Sequence, residues 1–101
     1  MASRLDLHNK LKEVLGSNNV YFQPPPSKSM NYPAIVYALS DINNVFANDS
    51  VYKQSRSYEI TLIDPNPDSE YITKLSRLPT CRFNRHYKAD NLNHYLFTIF
   101  N

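Results

Sequence analysis

Glycine, cysteine, tryptophan and long apolar runs are scarce or missing in this sequence of 101 residues. The single glycine, Gly16, cannot build the glycine-rich loop that cradles phosphate groups. The single cysteine, Cys81, excludes an intrachain disulfide and is typical of proteins kept in a reducing cytoplasm. No apolar run approaches the roughly 20 residues of a membrane span, and the N-terminus lacks a signal-peptide core. We therefore expect a cytoplasmic protein with no membrane partner, unless it leaves the cell inside an assembled particle.

Neither sign of charge dominates, since the formal net charge is only +2. A global basic bias of the kind that dominates DNA binding is absent. Basic residues nevertheless crowd one segment of the C-terminal half: Lys74, Arg77, Arg82, Arg85 and Lys88. Such a cluster is either a solvated face or subunit contact, or else a functional basic patch.

Groups that could carry catalysis or bind a metal are few. His86 and His94 flank a predicted turn at Asp90 and Asn91, but no metal-ligand spacing accompanies them. Cys81 and His86 could form a nucleophile pair, yet residues five apart on a regular strand point to opposite faces. We predict that the protein is not an enzyme and has no catalytic residues, no metal site and no cofactor.

The length fits one domain, with a radius of gyration of roughly 13 Å. A helix is predicted at residues 3–15, where Leu7, Leu11, Val14 and Leu15 form one apolar stripe and Gly16 provides the C-terminal cap. A short strand follows at residues 20–22, and a run of three prolines at 24–26 ends it.

Apolar alternation predicts strands at residues 34–40 and 57–63, and helical spacing predicts a helix at 69–78. The strands at 81–87 and 94–100 form a closing hairpin. In the first of them, Cys81, Phe83, Arg85 and Tyr87 should share one face. The order α-β-β-β-α-β-β predicts a single α+β domain, residues 1–101, with a largely antiparallel sheet and two helices on one face.

Two segments are predicted to contact other proteins. Residues 41–56 are polar, too long for a tight hairpin, and yet contain apolar side chains. They form either a binding loop or an extension of the flanking strands, with the apolar residues covered. Residues 23–31 form the second segment. The candidate interaction residues are Gln23, Pro24, Pro25, Ser27, Lys28, Asn43, Val45, Phe46, Asn48 and Tyr52.

Aromatic residues are abundant, with eight tyrosines and five phenylalanines. Tyrosine is favoured at protein interfaces because its ring is apolar and its hydroxyl can stay wet. The alternative is an ordinary core with tyrosine hydroxyls at its rim. Without a catalytic set, we favour a protein whose role is to contact other proteins.

Several strings resemble a group of small phage virion proteins encoded among the head–tail joining genes. These strings are Tyr21-Phe22-Gln23-Pro24-Pro25, Tyr32-Pro33-Ala34-Ile35-Val36-Tyr37, the strand from Tyr58 to Asp64 with Pro67-Asp68-Ser69, and Arg85-His86-Tyr87-Lys88-Ala89-Asp90-Asn91-Leu92-Asn93-His94. The resemblance covers residues 5–100. The order of elements also resembles the tail-terminator, or tail-completion (minor capsid), proteins of long-tailed phages.

The resemblance implies a virion subunit without catalytic residues that forms a hexameric ring at the head-proximal end of the tail. The ring would end growth of the tail tube and join the tail to the head connector. Its partners would be further copies of the chain, the tail-tube protein and the connector or neck proteins, with DNA only as cargo. The alternatives are a head-completion or neck protein, or a nucleic-acid-binding module that uses the basic segment with Tyr87.

Overall fold

The computed structural model describes residues 4–24, 30–47 and 50–100, which form a single α+β domain. Its elements are α1 (Arg4–Leu15), β1 (Val20–Phe22), β2 (Ala34–Ala47), β3 (Ser50–Asp64), α2 (Tyr71–Ser76), β4 (Cys81–Ala89) and β5 (Leu92–Phe100). The predicted fold class and order of elements are confirmed. In the described residues, no helix is long and apolar enough to cross a membrane.

The five strands form one sheet in the order β1-β2-β3-β5-β4. β1 runs parallel to β2, and every other neighbouring pair is antiparallel. The β4–β5 turn is built on Asp90 and Asn91, which both have positive φ, as expected of a tight hairpin turn. The predicted closing hairpin is therefore confirmed.

The core lies between one face of the sheet and the two helices. α1 contributes Leu7, Leu11 and Leu15, and α2 contributes Leu75. The strands contribute a set that stands on one face by register: Ile35, Tyr37, Tyr58, Ile60, Leu62, Tyr95, Phe97 and Ile99. We call this face the helix side and the opposite face the open side.

The apolar stripe of α1 and its C-terminal end agree with the pattern read from the sequence. Leu5, which lies off the apolar stripe, is 62% exposed, whereas the stripe residues Leu7 and Leu11 are completely buried. Gly16 has φ +72° and donates its N–H to the carbonyl of Lys12 at 2.8 Å. The helix therefore ends in the left-handed conformation that glycine adopts at least cost.

β2 and β3 are much longer than predicted, with 14 and 15 residues. They pair through residues 41–56, which had two interpretations from sequence. The expectation of a long loop is wrong, because residues 41–47 and 50–56 extend the two strands, and the predicted binding role of this segment stays a prediction. The radius of gyration, 14.8 Å, exceeds the expected value because the chain reaches 51 Å along its longest axis.

Candidate interaction surface

A two-stranded arm projects from the body of the domain. β5 pairs with β3 only from Ser57 onward, so residues 41–47 and 50–56 pair with each other and with no other described strand. Where the structure describes side chains of these two stretches, at residues 41–44 and 54–56, none belongs to the core. At the base of the arm the β2–β3 register shifts between Leu39 and Asp41. An isolated pair of strands is marginally stable in water, so this arm is suited to being stabilised by another chain.

Two large apolar side chains lie where the arm leaves the body. Leu39 pairs with Tyr58 and Ile42 pairs with Arg56, which places both on the helix side. Each is 41% exposed. Exposed apolar groups at the root of a projecting arm are suited to a protein contact.

The predicted interaction residues fall into four groups, the last of which is Gln23 with Pro24 at the end of β1. Asn43 is exposed on the arm, where it pairs with Ser55. Val45, Phe46 and Tyr52 have strand backbone on the same arm, but their side chains lie outside what the structure describes. Pro25, Ser27, Lys28 and Asn48 lie outside the described residues altogether.

Gln23 and Pro24 stand where the short strand β1 ends. Gln23 has φ +45°, and its N–H donates to the carbonyl of Tyr37 at 3.1 Å. The chain leaves the sheet there, since Pro24 has no N–H to continue the ladder. As a result, β1 covers the outer edge of β2 only at Ile35–Tyr37.

A groove of about 250 Å³ opens on β2 just beyond the end of β1. The open-side residues Val36, Ala38, Glu59 and Thr61 line it together with the adjoining residues of β2. Val36 and Ala38 are half-buried rather than covered. The groove thus lies on the open side of the sheet, between β2 and β3.

The basic segment does not form one patch. Arg82 pairs with Thr98 and Arg85 with Leu96, so both lie on the open side. Lys88 pairs with the helix-side residue Asn93. Lys74 lies on α2, with Nζ 5.4 Å from the Tyr71 ring, and Arg77 follows at the end of that helix. The sheet therefore divides residues that are close in sequence.

A β-bulge explains where sequence reasoning went wrong on β4. The register shifts between Phe83 and Arg85, so Asn84 is an extra residue. The predicted alternation is wrong beyond this point: Arg85 and Tyr87 lie on the open side, whereas Phe83 and His86 lie on the helix side. A bulge leaves no apolar signature in a strand of exposed residues, so periodicity could not reveal it.

The bulge also changes the geometry of Cys81 and His86. Both lie on the helix side, so the expectation of opposite faces is wrong. Their partners Ile99 and Tyr95 are four residues apart on β5, or about 13 Å at the usual rise of a strand. Burial raises the pKa of the Cys81 thiol to about 11. Neither the distance nor the protonation suits a nucleophile pair.

His86 and His94 do not converge. His86 stacks on Tyr95 with ring centroids 4.6 Å apart, and His94 stacks on Tyr87 at 4.7 Å. The register places these stacks on opposite faces of the sheet. Among the described residues, no group of three or more His, Cys, Asp or Glu side chains is arranged to hold a metal ion.

Asn93 joins the closing hairpin to the turn that follows β3. It is 5% exposed, and its Nδ2 donates to the carbonyl of Pro65 at 3.3 Å. Its Oδ1 accepts from Nε2 of His86 at 3.0 Å. Nearby, the Tyr95 hydroxyl donates to the carbonyl of Pro67 at 2.9 Å. These bonds hold the prolines of the turn against the sheet, a role that no sequence pattern indicated.

A second polar network was also missed from sequence. Nη1 of Arg4 lies 3.2 Å from the buried hydroxyl of Tyr37, and Nδ1 of His8 lies 2.7 Å from the same hydroxyl. The Arg4 guanidinium also stacks 4.3 Å above the ring of Phe22. The spacing of Arg4 and His8, one helical turn apart, was the available signal. The network anchors the first turn of α1 to the sheet.

Comparison with known proteins adds no family to this description: no protein-family model and no curated protein sequence matches the chain.

Proposed function

We propose that the protein is a structural virion subunit of a tailed bacteriophage, which forms a ring at the head-proximal end of the tail. The ring ends growth of the tail tube and provides the surface that joins the tail to the head connector. The observation that carries the assembly role is the projecting arm, residues 41–47 and 50–56, which pairs with no other described strand. The phage context rests on the resemblance of the sequence strings.

The mechanism is steric and associative. Subunits that contact their neighbours through two different surfaces close into a ring when the rotation between them closes. The arm, with Leu39 and Ile42 at its root, is one such surface. A ring of this kind covers the growing end of the tube and leaves a channel for DNA. Its partners are the tail-tube protein, the connector or neck proteins, and further copies of the chain.

The nucleic-acid alternative has weaker support. It requires Lys74, Arg77, Arg82, Arg85 and Lys88 to act together, and the sheet separates Arg82 and Arg85 from the others. A head-completion or neck role uses the same assembly surfaces. It differs from tail termination only in where the ring stands in the particle.

The test is to find the subunit in purified particles. We expect mass spectrometry to detect it in phage particles and antibody labelling to place it at the head-proximal end of the tail. Labelling on tailless heads would indicate the neck alternative instead. Complete absence from particles would contradict a structural role.

A variant that lacks most of the arm tests whether the arm is a contact. Replacing residues 44–54 by Asn-Gly keeps the Asn43–Ser55 pair and closes the shortened hairpin with a favoured turn. Because no core residue is removed, we expect the melting temperature to stay within a few degrees. Incorporation into particles should fall. Normal particle assembly by this folded variant would show that the arm is not a contact.

A further inference from the structure

We propose that the open edge of β2 pairs in antiparallel fashion with β4 of a second copy of this chain, so that the sheets of successive subunits join head to tail. This inference rests on the proposed function, because it requires the chain to assemble with itself. In this contact the β2 edge meets the β4 edge, and Asp41 of one copy faces Arg85 of the other.

The first edge belongs to β2. β1 pairs only with Ile35–Tyr37 and leaves the sheet at Gln23, so residues 38–47 have no described strand on their outer side. A groove of about 250 Å³ opens near the start of this edge, on the open side of β2 and β3. An uncovered strand edge presents unpaired N–H and C=O groups that can pair with another chain.

The second edge belongs to β4 at the other end of the sheet. β4 pairs with β5 on one side, and no described strand lies on its other side. All nine of its residues except Cys81 are exposed. Among the described strands, the sheet is therefore unpaired along residues 38–47 of β2 on one side and along β4 on the other.

The strand directions favour joining unlike edges. β2, β3, β5 and β4 are related by three antiparallel steps, so β4 runs opposite to β2. When a second copy continues the sheet in the same orientation, β4 meets β2 antiparallel. Such a head-to-tail contact uses two different surfaces and generates a ring when the rotation closes.

Charge favours the same pairing. Residues 38–47 contain one charged side chain, Asp41, whereas β4 contains Arg82, Arg85 and Lys88 and no acid. Two β4 edges would bring like charges together, which is unfavourable. Asp41 pairs with Ser57 and Arg85 with Leu96, so both side chains lie on the open side. A β2–β4 contact that keeps the faces continuous places Asp41 on the same face as Arg82 and Arg85, and the proposed register sets it beside Arg85.

The bulges limit where uninterrupted pairing can occur. β2 shifts register between Leu39 and Asp41, and β4 shifts between Phe83 and Arg85. Both bulges therefore lie beside the proposed Asp41–Arg85 contact, and the regular stretch that starts at each of these residues passes the bulge of the opposite strand. Beyond them, the arm continues the edge of β2.

A charge-reversal cycle tests the contact. Asp41→Arg and Arg85→Asp each create a like-charge pair, and the double variant restores the attraction. We expect each single change to raise the concentration needed for self-association at least roughly tenfold in sedimentation velocity, and the double variant to return within about threefold of the original. Glu13→Arg and Lys74→Glu reverse exposed charges on the helices and should have no such effect. Failure of the double variant to recover would overturn the pairing.

Single-cysteine chains identify which edges meet. In a Cys81→Ala background, Asp41→Cys and Arg85→Cys subunits carrying tags of different size are mixed and oxidised, both in solution and in assembled particles. We expect the disulfide between the two unlike chains, and little between like chains. Predominant linkage of like chains, or no linkage under either condition, would overturn the proposal.

The two proposals fail separately. A subunit present in particles whose edges do not cross-link retains its virion role without this contact. A subunit absent from particles whose unlike edges still cross-link in solution retains the contact without the virion role. Circular dichroism of every variant shows that a loss of assembly does not come from unfolding.

Discussion

The Tyr37 hydroxyl and Nδ1 of His8 lie 2.7 Å apart, where the first turns of α1 meet β2. Arg4 donates to the same hydroxyl, so the hydroxyl proton is free to be donated to neutral His8. Burial lowers the pKa of His8, and the positive charges of Lys12 and Arg4 lower it further. Arg4 therefore donates to the Tyr37 hydroxyl, and that hydroxyl donates to the uncharged imidazole of His8.

Stability should depend on pH through His8. Because its pKa is lower in the folded than in the unfolded state, the unfolded chain binds more protons in the interval between the two values. The contribution of His8 is fully present above its ordinary pKa of about 6.5 and is lost as the pH falls through the folded value. Urea unfolding at several pH values should show this loss. His8→Gln should flatten that part of the profile, and an unchanged profile would contradict the assignment.

The apolar root of the arm should matter for assembly and not for folding. Changing Leu39 and Ile42 to serine removes partly exposed side chains, so the free energy of unfolding should change by less than about 1 kcal/mol. Incorporation into particles should fall, because the variant loses the apolar part of the contact. Leu5→Ser is the matched control, since Leu5 is 62% exposed on α1 and away from the arm. Equal losses in both variants would argue against a specific contact.

Asn93 should be a strong stabilising residue. Asn93→Ala removes a side chain that is 5% exposed together with its two hydrogen bonds, to the carbonyl of Pro65 and to Nε2 of His86, which should cost about 1–3 kcal/mol. Denaturant unfolding measures the loss. Asn84→Ala is the control, because Asn84 is exposed and its bond to Thr98 is replaced by water. A control variant that is destabilised as much as Asn93→Ala would contradict this account.

Cys81 should behave as an inert structural thiol. With a pKa raised to about 11, it is almost entirely protonated at pH 8. An aromatic disulfide reagent should therefore react slowly with the folded protein and rapidly after denaturation. Cys81→Ala should cost about 1 kcal/mol through lost packing against the core. Rapid labelling of the folded chain would show that the thiol is activated.

Much of the fold was predictable from local chemistry. The stripe on α1, the cap at Gly16, the proline run that ends β1 and the turn at Asp90 and Asn91 are all short-range signals. Each depends on the conformational preference of a few neighbouring residues, so each could be recognised without knowing what packs against it.

The arm and the bulge at Asn84 were not predictable in this way. Residues 41–56 mix many polar residues with a few apolar ones at irregular spacing, so no alternation separates a loop from two extended strands there. The bulge inserts one exposed residue among other exposed residues and moves Arg85, His86 and Tyr87 to faces opposite to those that regular alternation predicts.

The sequence by itself determined the class of elements, their order and the core-facing residues, because burial of apolar side chains leaves a periodic record in the chain. Only the tertiary structure decided how the surface is arranged: which edges of the sheet stay open, that the basic segment is divided, and that Asp41 and Arg85 share a face. Those features depend on strand register and on which strands become neighbours. Exposed polar residues tolerate either arrangement at little cost, so they carry no record of it.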